Sequence, residues 1–178
     1  MADQMTKAER EELAKLVRRR EKLAKAAASQ RAAEMMADFE SQVATDYHLN
    51  DQAVWEEAHA AVAAVVDQAN ERIAERCREL GIPDRFAPSI AAGWFSRGEH
   101  AARSRVEELR KVARTRFAAL EKAAKTEIER HSVDVQTELV AGGLQSAEAR
   151  AFLESMPTAE ALMPAPSVRE IEAAAGDR

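Results

Sequence analysis

Residues 106–139 read VEELRKVARTRFAALEKAAKTEIERHSVDVQTEL, and this run decides the fold. Val106, Leu109, Ala113, Phe117, Leu120, Ala124, Ile128, His131, Val135 and Leu139 recur at steps of three and four, with charged residues between them. That pattern is an α-helix with one apolar stripe. The stripe covers 33 residues in nine steps, 3.67 per step, nearer an eleven-residue repeat than a heptad. The spacing predicts a straight or slightly right-handed helix pairing. No glycine or proline interrupts residues 99–141, so the helix is expected over 97–141, with Gly142-Gly143 as its stop.

The rest of the chain repeats this logic. Residues 1–80 contain no glycine and no proline. Thr6-Lys7-Ala8-Glu9 fits a capping box, in which the Thr hydroxyl and Glu carboxylate each satisfy an orphan N–H. A first helix is expected over 6–46, with a thin stripe of Leu13, Leu16, Val17, Leu23, Ala27, Met35, Phe39 and Val43. A break is expected at His48-Leu49-Asn50, with Asn50 or Asp51 capping the next helix. That second helix, 51–80, carries Trp55, Ala58, Val62, Val65, Ala69, Ile73, Cys77 and Leu80 on one stripe. Gly81 stands where a terminating glycine belongs, with Pro83 just beyond. A short helix is expected over 146–155, and the proline-containing tail 157–178 is read as extended, with a weak terminal turn as the alternative.

Composition agrees. The chain has 178 residues, 26 Lys+Arg, 31 Asp+Glu and a net charge of −5. Alanine accounts for 39 residues and aromatics for only eight, so large core-forming side chains are scarce. Strand-type alternation is absent. The fold class is all-α: an elongated, coiled-coil-like helical hairpin or three-helix bundle of long helices with a short C-terminal helix. At ~1.5 Å per residue the first and third helices are each about 60 Å long. Residues 1–145 form the expected bundle, with 81–96 as connector, and 146–178 the short helix and tail. Such stripes gain stability only by burial against another helix, so self-association is expected to complete a slim core.

Several function classes are excluded or disfavoured. A lone Cys77 excludes a disulfide framework and a cysteine-based zinc site. No apolar stretch reaches ~18 residues without a charge, so no membrane span is expected. The first residues carry no apolar signal region, and a cytoplasmic location is expected. Glu56 and His59 form one Glu-x-x-His, but a di-iron bundle needs two copies. Glu127 and His131 are four apart rather than three, and His48 has no evident partner. His131 falls on the apolar stripe and is expected to be a core or interface histidine with a hydrogen-bonded ring. Nucleotide-binding, hydrolase and zinc-protease motifs are all missing. The chain is expected to be no enzyme, with no cofactor, metal or small-molecule substrate.

Charge is distributed in blocks. Residues 1–31 carry nine basic and five acidic groups, residues 32–80 three and eleven, residues 81–130 eleven and seven, and residues 131–178 three and eight. One reading sets a basic third helix against an acidic second one. The other brings the basic blocks to an external polyanion. Arg103, Arg110 and Arg114 share a helix face, widened by Arg105, Lys111 and Arg116, and are the nucleic-acid candidates. Arg18, Arg19 and Arg20 are denser but spread round the helix.

The connector 81–98 holds three of the eight aromatics, Phe86, Trp94 and Phe95. It is expected to be ordered. These rings either cap the bundle's open end or, with Arg97, anchor a partner protein. Phe152 and Leu153, with Leu162 and Met163, form a second docking candidate that either folds back on the bundle or enters a partner's groove.

Three stretches carry a resemblance: Thr6-Lys7-Ala8-Glu9-Arg10, the connector from Gly81 to Trp94, and Phe152 to Pro157 with Leu162-Met163-Pro164. In this order they resemble small helical proteins encoded in actinobacterial phages and prophages, over most of the chain. The resemblance implies a setting of particle assembly or genome packaging, in the host cytoplasm or the virion. It assigns no site residues. Packaging factors of the small-terminase type begin with a compact helix-turn-helix domain, whereas one long helix is expected here. The expected function is that of a non-enzymatic, oligomerising helical protein acting through protein–protein contacts. The alternative is a nucleic-acid-binding accessory protein.

Overall fold

The structure, a computed structural model, describes residues 5–91, 97–141 and 146–176. Its described residues contain six α-helices and no strand: α1 (Lys7–Asp46), α2 (Gln52–Glu79), α3 (Arg97–Ala141), α4 (Ser146–Glu154), α5 (Ala159–Leu162) and α6 (Val168–Ala175). A short 3-10 turn, Asp84–Phe86, follows α2. The helix limits expected for the two longest elements hold to within one residue.

Local chemistry sets the ends. The Thr6 backbone N–H donates to Glu9 Oε2 at 2.7 Å and the Glu9 N–H to Thr6 Oγ1 at 3.3 Å. This is the reciprocal cap read from the sequence, and the N–H it accepts holds the Glu9 carboxyl below its usual range. α1 ends on His48, whose φ is 51°. Leu49 N–H reaches back to Ala44 O and His48 N–H to Thr45 O, satisfying two orphan carbonyls. α2 begins on Asp51, which accepts from Val54 N–H, and ends on Gly81 at φ 72° with the same pair of bonds, Ile82 to Cys77 O and Gly81 to Arg78 O. Gly81 thus occupies the left-handed position where only glycine is free of a Cβ penalty.

The chain forms two compact units. One comprises the residues up to Glu40 with those from Lys111 onward, and the other Ser41–Arg110. In the first, α1 and α3 pair antiparallel. Glu21 meets Ser132, Lys25 meets Glu129, Ser29 meets Glu121 and Phe39 meets Phe117, so partner numbers fall along α3 as they rise along α1. Leu13, Val17, Ala28, Met35 and Phe39 are buried on α1, and Ala113, Phe117, Ala124, Ile128, Ser132, Val135 and Leu139 on α3. Phe39 and Phe117 meet edge-to-face, centroids 6.2 Å apart. Each fully buried large apolar side chain contributes about 1.5–3 kcal/mol.

Two stripes differ from expectation. On α1, Leu16, Leu23 and Ala27 are exposed, and the buried line runs instead through Ala28, with Glu21, Ala24 and Ala32 half-buried. Leu23 lies ten residues from Leu13, about 80° round the helix, too far to share a narrow seam. Alanines let the backbones approach, and Ser132 and Lys25 satisfy Glu21 on the seam. On α2, Val66 and Cys77 are buried, whereas Ala58, Val65 and Leu80 are exposed.

The tail is a further correction. Residues 157–176 are not extended but form α5 and α6, burying Ala159, Met163 and Ile171. Thr158 caps α5, and Ser167-Val168-Arg169-Glu170 closes a capping box on α6 like the one at Thr6. Pro164 and Pro166 precede that cap and so interrupt no helix.

Candidate interaction surfaces

Unit two is bounded by α2. Asn70 on that helix clamps the connector, accepting Ile90 N–H at 2.7 Å and donating to Ile90 O at 3.0 Å. The connector up to Ala91 is therefore ordered, as expected. Phe86 does not cap the bundle. It is 65% exposed, with the Arg85 guanidinium 4.8 Å from its ring centroid. The guanidinium supplies a cation–π contact and leaves the other ring face to solvent. Trp94 and Phe95 lie outside the described residues, as does the Arg97 side chain.

In unit one the second docking candidate folds back. Leu153 and Met163 are buried and Leu162 half-buried, so these side chains serve internal packing. Arg20 Nη1 donates to Leu153 O at 2.5 Å, which removes one arginine from the basic run and makes it a tie between α1 and α4. His131 Nε2 lies 3.2 Å from Phe152 O, an arrangement that needs the proton on Nε2, and its ring centroid is 6.1 Å from that of Phe152. The expected hydrogen-bonded histidine is thus present at the bundle's flank. Phe152 itself remains 39% exposed.

Four arginines of the basic face of α3 meet carboxylates. Arg103 meets Glu99 at 2.9 Å, Arg105 meets Glu108 at 3.2 Å, and Arg110 meets Glu107. In unit one Arg114 approaches Glu40 at 3.9 Å. Arg116 donates to Glu170 O, a tie to α6. Exposed pairs of this kind contribute little stability, but each must be loosened before its arginine can reach a phosphate. Arg18 and Arg19 are exposed.

The seam between α1 and α3 holds two charged networks. Glu21 accepts from Ser132 and Lys25, and Lys25 also reaches Glu129 at 3.1 Å. Glu121 accepts from Lys125 at 2.6 Å and Ser29 at 2.8 Å. The Lys25 ammonium, then the Ser132 hydroxyl, hold Glu21 below the usual carboxylate range, and Lys125 and Ser29 do the same for Glu121. Glu21 and Glu129 push Lys25 up.

A cleft of about 360 Å³ in unit two is lined by Asn50, Trp55, Glu56, His59, Glu99 and Arg103, among others. Several of its polar groups are already engaged: Glu99 with Arg103, Glu56 with Gln52, and the Trp55 indole N–H with His48 O. Among the described residues no group of three or more histidines, cysteines or acids is placed to hold a metal ion. No helix there is long and apolar enough to cross a membrane. Cys77 is buried.

One surface was missed in the sequence. Val54, Ala58, Ala61 and Val65 line one face of α2, and all four are exposed, Val65 by 66%. The signal was present as an apolar surface on α2 wider than one core contact needs.

Comparison with known proteins finds no family model, no curated protein and no solved structure that matches the chain.

Proposed function

We propose that this chain is a non-enzymatic, self-associating helical protein that acts through protein–protein contacts, as a structural or assembly factor of the phage type. The observation that carries the reading is the exposed apolar row of α2, Val54, Ala58, Ala61 and Val65. Contiguous apolar faces on a soluble helix mark interaction sites, whereas scattered ones do not. Phe86 and Phe152 are exposed aromatics of the kind that anchor a second protein. The phage setting, in the host cytoplasm or the virion, rests on the sequence resemblance. Nucleic-acid binding is the weaker reading, because Arg103, Arg110 and Arg114 each face a carboxylate.

The test is the solution mass of the full chain by light scattering at low and high salt. A discrete multimer that persists in high salt is expected, because apolar seams are not screened. A strict monomer at every concentration sinks the self-association reading.

A further inference from the structure

The outer row of α2 continues past Val65 through Gln68 and Arg72, all exposed. Its steps are four, three, four, three and four, the alternation of a heptad seam. This differs from the eleven-residue spacing of the α3 stripe. The row lies about 130° round the helix from the buried side that carries Val66 and Cys77, so α2 presents two distinct faces. Of the 28 residues of α2 only Val66 and Cys77 are buried, while Val62, Ala63, Ala69, Ile73 and Ala74 are half-buried and Val54, Ala58, Ala61 and Val65 are exposed.

Charge along α2 is polarised. From Asp51 to Glu71 there are five acidic residues and no Lys or Arg, whereas the stretch from Arg72 to Glu79 carries all three arginines of the helix, Arg72, Arg76 and Arg78, together with Glu75 and Glu79. Arg76 pairs with Glu79 at 2.6 Å. A parallel partner helix of the same sequence would set Arg72 against Arg72. An antiparallel one sets it against the acidic start.

We propose that the outer face of α2 pairs antiparallel with the same face of a second copy of this chain. This deepens the self-association reading and rests on it. Antiparallel seams match alternate heptad positions, giving the layers Val65 on Ala61, Ala58 on Gln68, and Val54 on Arg72. Each valine meets a smaller or flexible residue, so large and small side chains interdigitate. The aliphatic stem of Arg72 covers Val54, while its guanidinium lies within a turn of the other copy's Asp51 and Glu57. The two-fold repeats every layer, as an isologous interface requires. The alanines let the helices approach closely, and the seam is narrow. The dimer is therefore reversible and concentration-dependent, at the small end of specific interfaces.

Sedimentation velocity of the full chain over a wide concentration range is the first measurement, and a monomer–dimer equilibrium is expected. Ala61→Glu and Val65→Glu each place a carboxylate in the seam and weaken the dimer by roughly tenfold or more. Both positions are exposed, so helicity by circular dichroism stays at the wild-type level. The geometric test is disulfide trapping in a Cys77→Ala background. Mixed Ala61→Cys and Val65→Cys chains, one carrying a mass tag, cross-link to each other in preference to themselves. A multimer that ignores both glutamates and traps no mixed disulfide overturns the α2 pairing while leaving self-association standing. A chain that is monomeric throughout overturns both.

Discussion

The Ser132 hydroxyl, with no exposed surface, donates to Glu21 Oε2 at 2.7 Å across the α1–α3 pair. It is the one polar residue among the described ones that is fully shielded, and its acceptor is simultaneously bound by Lys25 at 2.7 Å. In a seam whose fully buried positions are otherwise apolar, such a bond fixes register. A one-turn slip would leave a hydroxyl and a carboxylate unpaired in the interface.

Ser132→Ala is therefore expected to cost about 1–2 kcal/mol, read from urea unfolding. Glu21→Ala combined with Ser132→Ala should cost less than the sum of the two single changes, because they share one interaction. Strict additivity would show that the bond contributes nothing.

The carboxyls of Glu21 and Glu121 are held below their ordinary range, so the folded state releases their protons more readily than the unfolded one. Their contribution is fully present above the unfolded value, near ~4.3, and is lost as pH falls through the folded one. Lys25 is raised, so its share is present below the unfolded lysine value and lost only as pH climbs through the higher folded one. Chemical denaturation should show a plateau near neutrality and a decline below pH ~4. In Glu21→Gln/Glu121→Gln the acid decline should be shallower. An identical acid limb in that variant would contradict the assignment.

The α3 helix was legible because it has strong breakers at its ends and an unbroken stripe between, and nearly every residue of that stripe is buried or half-buried. Gly81 was legible for the same reason, a local rule with one solution. The α1 seam was not, because Leu16 and Leu23 outweigh Ala24 and Ala28 in any hydrophobic count, whereas close helix approach favours the alanines. The tail was not legible because prolines weigh against a helix in any local count, although Pro164 and Pro166 stand just before the Ser167 cap, where a proline interrupts nothing. The outer face of α2 was hidden because a single stripe was drawn through a helix that carries two.

His48 holds a left-handed backbone at φ 51°, a conformation in which a Cβ is penalised. Its side chain is exposed, and the contact it makes to Trp55 Nε1, at 2.9 Å, uses the backbone carbonyl. His48→Gly keeps that bond and removes the penalty. After the entropy gained by the unfolded chain, it should stabilise by about 0.5–1 kcal/mol in thermal unfolding. A loss of stability would mean that the imidazole itself supports the turn.

The C-terminal segment is built of short helices tied to α1 and α3 at Leu153 O, Phe152 O and Glu170 O, so its anchors should act locally. Ile171 and Met163 have no exposed surface, and Arg116 reaches Glu170 O at 3.4 Å. Ile171→Ala should cost about 2–5 kcal/mol of the segment's own stability, and Ser167→Ala about 1 kcal/mol through the lost cap. Because α6 is only eight residues long, it cannot persist as a helix once undocked. Hydrogen exchange should therefore speed up at the amides of α6 in both variants while those around Ile128 keep their protection. If exchange rises equally in α3, the segment is an integral part of the core and unfolds with it rather than before it.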